Sequence, residues 1–236
     1  MDLETITDDL LHELQPLRFG APVTHVYNPL EYARAPYAEY LRRYATSPKE
    51  IVLIGMNPGP WGMAQTGIPF GEVTAVTGWL KISDTVNPPA DMHPKRPVTG
   101  FDCPRSEVSG KRIWGWARDN FATPQKFFSR FFIANYCPLQ FLEAGGRNRT
   151  PNQLRAGERK PLFAACDRAL RRTVELLNPR YVIGIGRFTT ERARHALGDL
   201  SVIIGGITHP SPANPKANRG WEAIIEKEFA QLGIGL

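Results

Sequence analysis

A chain of 236 residues, with 42% hydrophobic and 22% charged residues, is long enough to bury a sizeable core and has the balance of an ordinary soluble globular protein. Its apolar runs are far shorter than a membrane span, and its start, Met1-Asp2-Leu3-Glu4, is acidic where a signal peptide would be basic. The three cysteines, Cys103, Cys137 and Cys166, form no C-x-x-C pair, which argues against a disulfide framework, a zinc site or an iron–sulfur cluster and for a reducing cytoplasmic setting: the bacterial cytosol or nucleoid, or a eukaryotic nucleus. The net charge of +6 is uneven. Residues 105–172 hold 14 Lys and Arg against 5 Asp and Glu, whereas the remainder holds 15 against 18. Clustered cations attract polyanions such as nucleic acid, although a solvated basic face would look the same.

In chain order, residues 3–14 and 30–45 are predicted helices, the second carrying Leu30, Tyr32, Tyr37, Tyr40 and Leu41 at roughly helical spacing. The apolar run Ile51-Val52-Leu53-Ile54 is a predicted buried strand, and Gly55-Met56-Asn57-Pro58-Gly59-Pro60-Trp61-Gly62-Met63 forces a loop at its end. Residues 62–112 are Gly/Pro-rich and predicted largely irregular around a short helix near 72–81. A helix over 123–130 leads into a second strand, Phe131-Phe132-Ile133-Ala134, which ends at Asn135-Tyr136-Cys137-Pro138.

Residues 161–178 carry the clearest amphipathic pattern, with Pro161 suited to a first helical turn and Asn178-Pro179 ending it. A third strand, Tyr181-Val182-Ile183-Gly184-Ile185, precedes a helix at 189–197. A fourth strand begins at Ser201-Val202-Ile203-Ile204, the loop Thr208-His209-Pro210-Ser211-Pro212-Ala213-Asn214-Pro215 follows, and a helix over 219–232 closes the chain. Strands alternating with helices predict an α/β protein with a parallel sheet covered on both faces, and the absence of a linker predicts one domain over 1–236. Asn57, Asn135 and His209 each stand at or just beyond a strand end. Parallel strands place those ends on one edge, so the three are expected to converge.

Competing motifs are weak. Gly184-Ile185-Gly186 continues as Arg187-Phe188-Thr189 and lacks the third glycine of a dinucleotide fingerprint, and no Walker A, H-E-x-x-H or G-x-S-x-G motif occurs. A lone histidine such as His209 is ordinarily structural. Its place before Pro-Ser-Pro, opposite the Asn57 loop, favours function.

These residues carry a family resemblance. The run from Gly55 through Phe70-Gly71-Glu72-Val73 resembles the first motif of the single-strand-selective monofunctional uracil-DNA glycosylases. His209-Pro210-Ser211-Pro212, continuing to Gly220-Trp221-Glu222, resembles the second, and Asn135-Tyr136-Cys137-Pro138-Leu139 resembles the strand end that reads the base. The resemblance implies a uracil-DNA glycosylase-like fold, three-layer α/β/α around a four-stranded parallel sheet. It implies hydrolysis of the N-glycosidic bond of uracil, and of C5-oxidised uracils such as 5-hydroxymethyluracil, in single- and double-stranded DNA, without a cofactor and by a monomer. A base in a duplex hides that bond and must be flipped out.

By the same resemblance Asn57 positions water and His209 donates a hydrogen bond to the departing uracil anion. Met56, Met63 and Phe70 line and stack the base, Asn135 reads its edge, and Gly59, lacking a side chain, leaves room for water at C5. Ser211, Pro212, Ala213, Asn214 and Lys216 face the DNA, with Ala213 where an arginine wedge is expected and Trp61 in place of phenylalanine. Another uracil-glycosylase subtype with hypoxanthine or xanthine activity, and a catalytically silent DNA binder, remain alternatives.

Overall fold

The computed structural model describes residues 2–236. The four predicted apolar runs form one parallel sheet in the order β3-β2-β6-β7, where β2 is Ile51–Gly55, β3 Phe131–Asn135, β6 Tyr181–Ile185 and β7 Ile203–Ile207. Every residue of β2 and β6 is buried, as an unbroken apolar run requires when helices cover both faces. Phe131 packs against Trp116 and Phe229, whereas the next residue, Phe132, stacks on Tyr40, so successive side chains enter opposite layers. One layer holds α1 (Leu3–Leu14), α2 (Arg34–Tyr44), α4 (Ala156–Leu177) and α5 (Arg187–Leu197). The other holds α3 (Val108–Phe121) and α6 (Trp221–Gln231). The predicted three-layer α/β/α fold is thus present.

Several boundaries differ from the sequence reading for local reasons. The fourth strand starts at Ile203 because its ladder runs from Tyr181↔Ile203 to Ile185↔Ile207. Helix α4 begins at Ala156, ahead of Pro161, because Glu158 holds its N-terminus from two sides: the carboxylate accepts from Arg155 N (3.1 Å) and from Gly20 N (2.7 Å). The predicted 30–45 helix is broken at Ala33, and the 72–81 helix is one short turn followed by a π-turn. The largest miss is α3, in and beyond the stretch read as irregular. Its glycines conceal a helix that buries Ile113, Trp114, Trp116, Ala117 and Phe121. Gly110 serves packing there, since a Cβ on it would overlap the carbonyl oxygen of Phe70.

A second, antiparallel sheet was not foreseen: β1 (Val23–Tyr27), β4 (Gln140–Glu143) and β5 (Asn148–Arg149), in the order β1-β4-β5. Its strands are short and part polar, so no alternation stands out. It matters because Asn148 Nδ2 donates to the Pro58 carbonyl (3.0 Å), buttressing the loop after β2. The basic middle third also looks different when folded. Arg130 pairs with Glu50, Arg168 with Glu13, Arg171 with Asp199 and Arg172 with Asp9, so much of its charge is matched by acids from elsewhere. No helix among the described residues is long and apolar enough to cross a membrane.

Candidate active site

The carboxyl ends of the sheet strands open onto one cleft bordered by Asn57, Phe70, Asn135 and His209, which brings together the residues expected to converge. Register explains part of this: Gly55 of β2 lies beside Asn135 of β3, and Tyr136 N then donates to the Gly55 carbonyl (2.8 Å). Gly55 has to be small. A Cβ there would overlap Asn135 Oδ1 and lie 2.6 Å from the Phe70 ring. Phe70 itself sits at φ +54°, a conformation that costs a bulky residue about 1–3 kcal/mol. Its carbonyl is held there by Trp114 Nε1 (3.0 Å) and Glu72 N (2.7 Å), and its ring centroid lies 6.4 Å from that of His209.

The polar side chains are oriented by their neighbours. Asn57 Nδ2 donates to the Leu139 carbonyl (3.2 Å), which can only accept, so Oδ1 is left as the free acceptor. Asn135 Nδ2 donates to the Met63 thioether (3.0 Å), a group that likewise only accepts. One amide hydrogen and Oδ1 remain for a ligand. Burial lowers the His209 pKa from 6.5 to about 4, so the ring is neutral near pH 7. Its Nδ1 accepts from Ser211 N (3.1 Å), which puts the single ring proton on Nε2. The cleft therefore presents one fixed acceptor, one fixed neutral donor, an amide and an aromatic face. Of the remaining expected residues, Met56 and Gly59 also border it, while Met63 is buried behind Asn135.

The loop after β7 is tightly braced. Arg112 of α3 donates to the Pro210 carbonyl (2.7 Å) and to Asn218 Oδ1 (3.0 Å), and Glu228 of α6 accepts from Thr208 N (2.6 Å) and Oγ1 (2.7 Å). Ser211 Oγ accepts from Ala213 N, and Asn214 Nδ2 donates to the His209 carbonyl, so both shape the loop itself. Pro212 and Ala213 are exposed at its tip. Lys216 is exposed but ion-paired to Glu228 (2.7 Å), which engages the ammonium expected to face DNA. At the other side of the mouth, Arg96 and Arg105 lie 5.2 and 4.6 Å from the centroid of the Trp61 ring.

Three residues escaped the sequence reading. Arg112 is one cation in a basic stretch, and Asn148 lies in a short polar run, Asn148-Arg149-Thr150, with no catalytic signature. Glu107, immediately before α3, turns its carboxyl into the cleft wall, and a Cβ built on Gly59 would overlap it. The space beside Gly59, expected to hold water, is thus partly filled by a carboxyl group. Burial lifts the Glu107 pKa from 4.5 to about 7, opposed by hydrogen bonds from the amides of Trp61 and Gly62 and aided by the charge of Glu72.

A profile described as Uracil DNA glycosylase superfamily matches residues 42–229, and the chain belongs to that superfamily. The rat protein named single-strand selective monofunctional uracil-DNA glycosylase is 50% identical over 224 residues, covering 94% of this chain and 81% of the rat protein. Its cattle counterpart is 49% identical and covers 94% and 82%. The crystal structure of wild-type Pedobacter heparinus SMUG2 superposes with a TM-score of 0.68 over 97% of each chain; at 17% identity, it speaks to the fold alone.

Proposed function

We propose that this protein is a monofunctional DNA glycosylase that hydrolyses the N-glycosidic bond of uracil, and of uracil oxidised at C5, leaving an abasic site. The observation that carries this reading is the pairing of a fixed acceptor, Asn57 Oδ1, with a neutral Nε2–H donor on His209 across one cleft that also offers the Phe70 face. The extruded base stacks on Phe70. Asn135 gives its free amide hydrogen to O4 and accepts from N3–H. Cytosine reverses both positions, leaving buried polar groups unpaired. Breaking the bond generates an oxocarbenium-like sugar and a uracil anion, and the His209 donor meets the charge growing on O2. One such preorganised donor contributes about 3–4 kcal/mol to the transition state.

Asn57 Oδ1 orients the attacking water. An amide is a feeble base, but a cationic sugar needs little help from its nucleophile. Among the described residues no amine in the site is placed to form a Schiff base: Lys216, beside the loop expected to face DNA, is engaged by Glu228. The strand is gripped at the mouth by Arg105, Arg96 and Trp61 and by the braced loop around Ala213, on single- and double-stranded DNA.

The test is an abasic-site assay on oligonucleotides carrying uracil, 5-hydroxymethyluracil, hypoxanthine or xanthine, paired and unpaired. Asn57→Ala and His209→Ala are expected to lose about 10²–10³-fold in rate. Excision confined to hypoxanthine or xanthine, or binding without excision, overturns the reading. Loss of binding with added salt distinguishes a DNA enzyme from a nucleosidase.

A further inference from the structure

The segment that follows β3 holds Asn57 from both of its chain neighbours. Cys137 N donates to the Met56 carbonyl (2.9 Å), just before it, while Asn148 Nδ2 (3.0 Å) and Gln140 Nε2 (3.5 Å) donate to the Pro58 carbonyl, just after it. A carbonyl oxygen has two lone pairs, so both of those on Pro58 are in use. The Leu139 carbonyl takes the Asn57 side-chain amide itself (3.2 Å). Register places the donors: Gln140 opens β4, and Asn148 stands opposite Leu142 across the β4–β5 pair, which an ion pair between Glu143 and Arg149 (2.9 Å) closes. Asn57 lies beyond the end of β2, outside any ladder, so this second sheet is what anchors it.

The arrangement is costly for folding alone. Gln140 is fully buried, and among the described residues neither its Oε1 nor the buried Asn148 Oδ1 accepts a hydrogen bond. An amide buried with one end unsatisfied lowers stability, and an apolar side chain of equal size would pack there without that loss. Such a side chain could not hold Pro58. Proline has no N–H of its own with which to tether the loop, so its carbonyl is the handle that remains.

We propose that Gln140 and Asn148 are positioning residues for Asn57: by fixing the Pro58 carbonyl they set the direction of Asn57 Oδ1. This rests on the hydrolytic function above, in which that oxygen orients the attacking water. An amide is too weak a base to activate water and helps only by direction, and a misplacement of about 1 Å costs about 10²-fold in rate. The contact to Leu139 fixes the far end of the Asn57 side chain. The grips on Met56 and Pro58 fix the backbone from which it projects. Gln140 is buried away from the cleft and acts through this contact alone, whereas Asn148 also borders the cleft.

The experiment measures single-turnover excision of uracil from a single-stranded oligonucleotide at saturating protein. It compares wild type, Asn148→Leu, Gln140→Met and Asn57→Ala, and each of the first two variants combined with Asn57→Ala. Binding is measured on an oligonucleotide carrying 2′-fluoro-2′-deoxyuridine, which resists cleavage, and thermal melting shows which variants are folded. Expected is a loss of about tenfold in rate for Asn148→Leu and about threefold for Gln140→Met, the longer contact, with Kd within about twofold of wild type. In the Asn57→Ala background both substitutions should change the rate by less than about twofold, because nothing remains for them to position. Gln140→Met should melt no lower than wild type, as a merely structural amide would not allow. An equal loss in both backgrounds, an unchanged rate in folded Asn148→Leu, or weaker binding at an unchanged rate overturns the inference while the glycosylase reading stands; should Asn148→Leu not fold, Gln140→Met decides by the same comparison. A wild-type protein inert on uracil overturns the glycosylase reading instead, and this inference with it.

Discussion

Replacing Glu107 by glutamine should make the protein more stable at alkaline than at acidic pH relative to wild type. The cause is burial, which raises the carboxyl pKa from 4.5 to about 7. The unfolded chain releases this proton around pH 4.5, whereas the folded chain keeps it to about 7. Over that window the native state binds more protons, so stability falls as pH rises and levels off above 7. A displacement from 4.5 to about 7 corresponds to about 3 kcal/mol, most of which develops between pH 5 and pH 8. Glutamine cannot ionise and escapes the penalty. Urea unfolding of both proteins at half-unit pH intervals should show their stability gap widening by about that amount, or by about 5–10 °C in Tm. Other titrating groups are common to both proteins and cancel, apart from any coupling to Glu72. A gap that stays flat from pH 5 to 8 refutes the reasoning, because Glu107 would then ionise as a solvated carboxylate does.

Further outcomes follow from the same geometry. With His209 neutral above about pH 4, uracil excision measured in the Glu107→Gln background should not rise as pH is lowered from 8 to 5.5; a rise with a midpoint near 6.5 would mark an imidazolium as the working form. Gly59→Tyr should suppress excision of uracil and 5-hydroxymethyluracil alike, because the new side chain collides with Glu107 before it reaches the base, and combining it with Glu107→Ala should recover uracil excision first. Arg112→Ala should raise KM for an oligonucleotide about tenfold with a smaller effect on kcat, and Arg112→Lys should rescue little, since one ammonium cannot span both the Pro210 carbonyl and Asn218. Ala213→Arg should raise the rate on paired relative to unpaired uracil by giving the exposed loop tip a wedge; an unchanged ratio argues that the tip does not enter the helix.

The parallel sheet was legible because β2, β3 and β6 are unbroken apolar runs, and their shared direction was enough to predict that Asn57, Asn135 and His209 would meet. The predicted amphipathic helix at 161–178 was found, though its start was hidden by Pro161, which lies within a helix that begins five residues earlier, where Glu158 accepts from Arg155 N and Gly20 N. Helix α3 was obscured because Gly110 looks like a breaker in sequence and is a packing contact in space. Glu107 was invisible for a related reason. Nothing in Ser106-Glu107-Val108 distinguishes it from a solvated surface acid, and its burial arises from contact with a loop some 45 residues earlier. The basic middle third misled in the opposite sense, since arginines that stand out in sequence turn out to be paired with Glu50, Glu13, Asp199 and Asp9.

Helix α3 carries Glu107 just before its first turn and Arg112 near the start of its second, one facing the cleft and the other gripping the loop after β7, which is expected to meet DNA. A helix is stiff over so short a distance, so the two contacts share one rigid mount. On the function proposed above, the base cleft and the grip on the strand would be mechanically linked: a DNA backbone that displaces the loop would also tilt the cleft wall. Lineages that alter one end of this lever inherit a change at the other, which makes α3 the element through which lesion preference and strand preference would drift together.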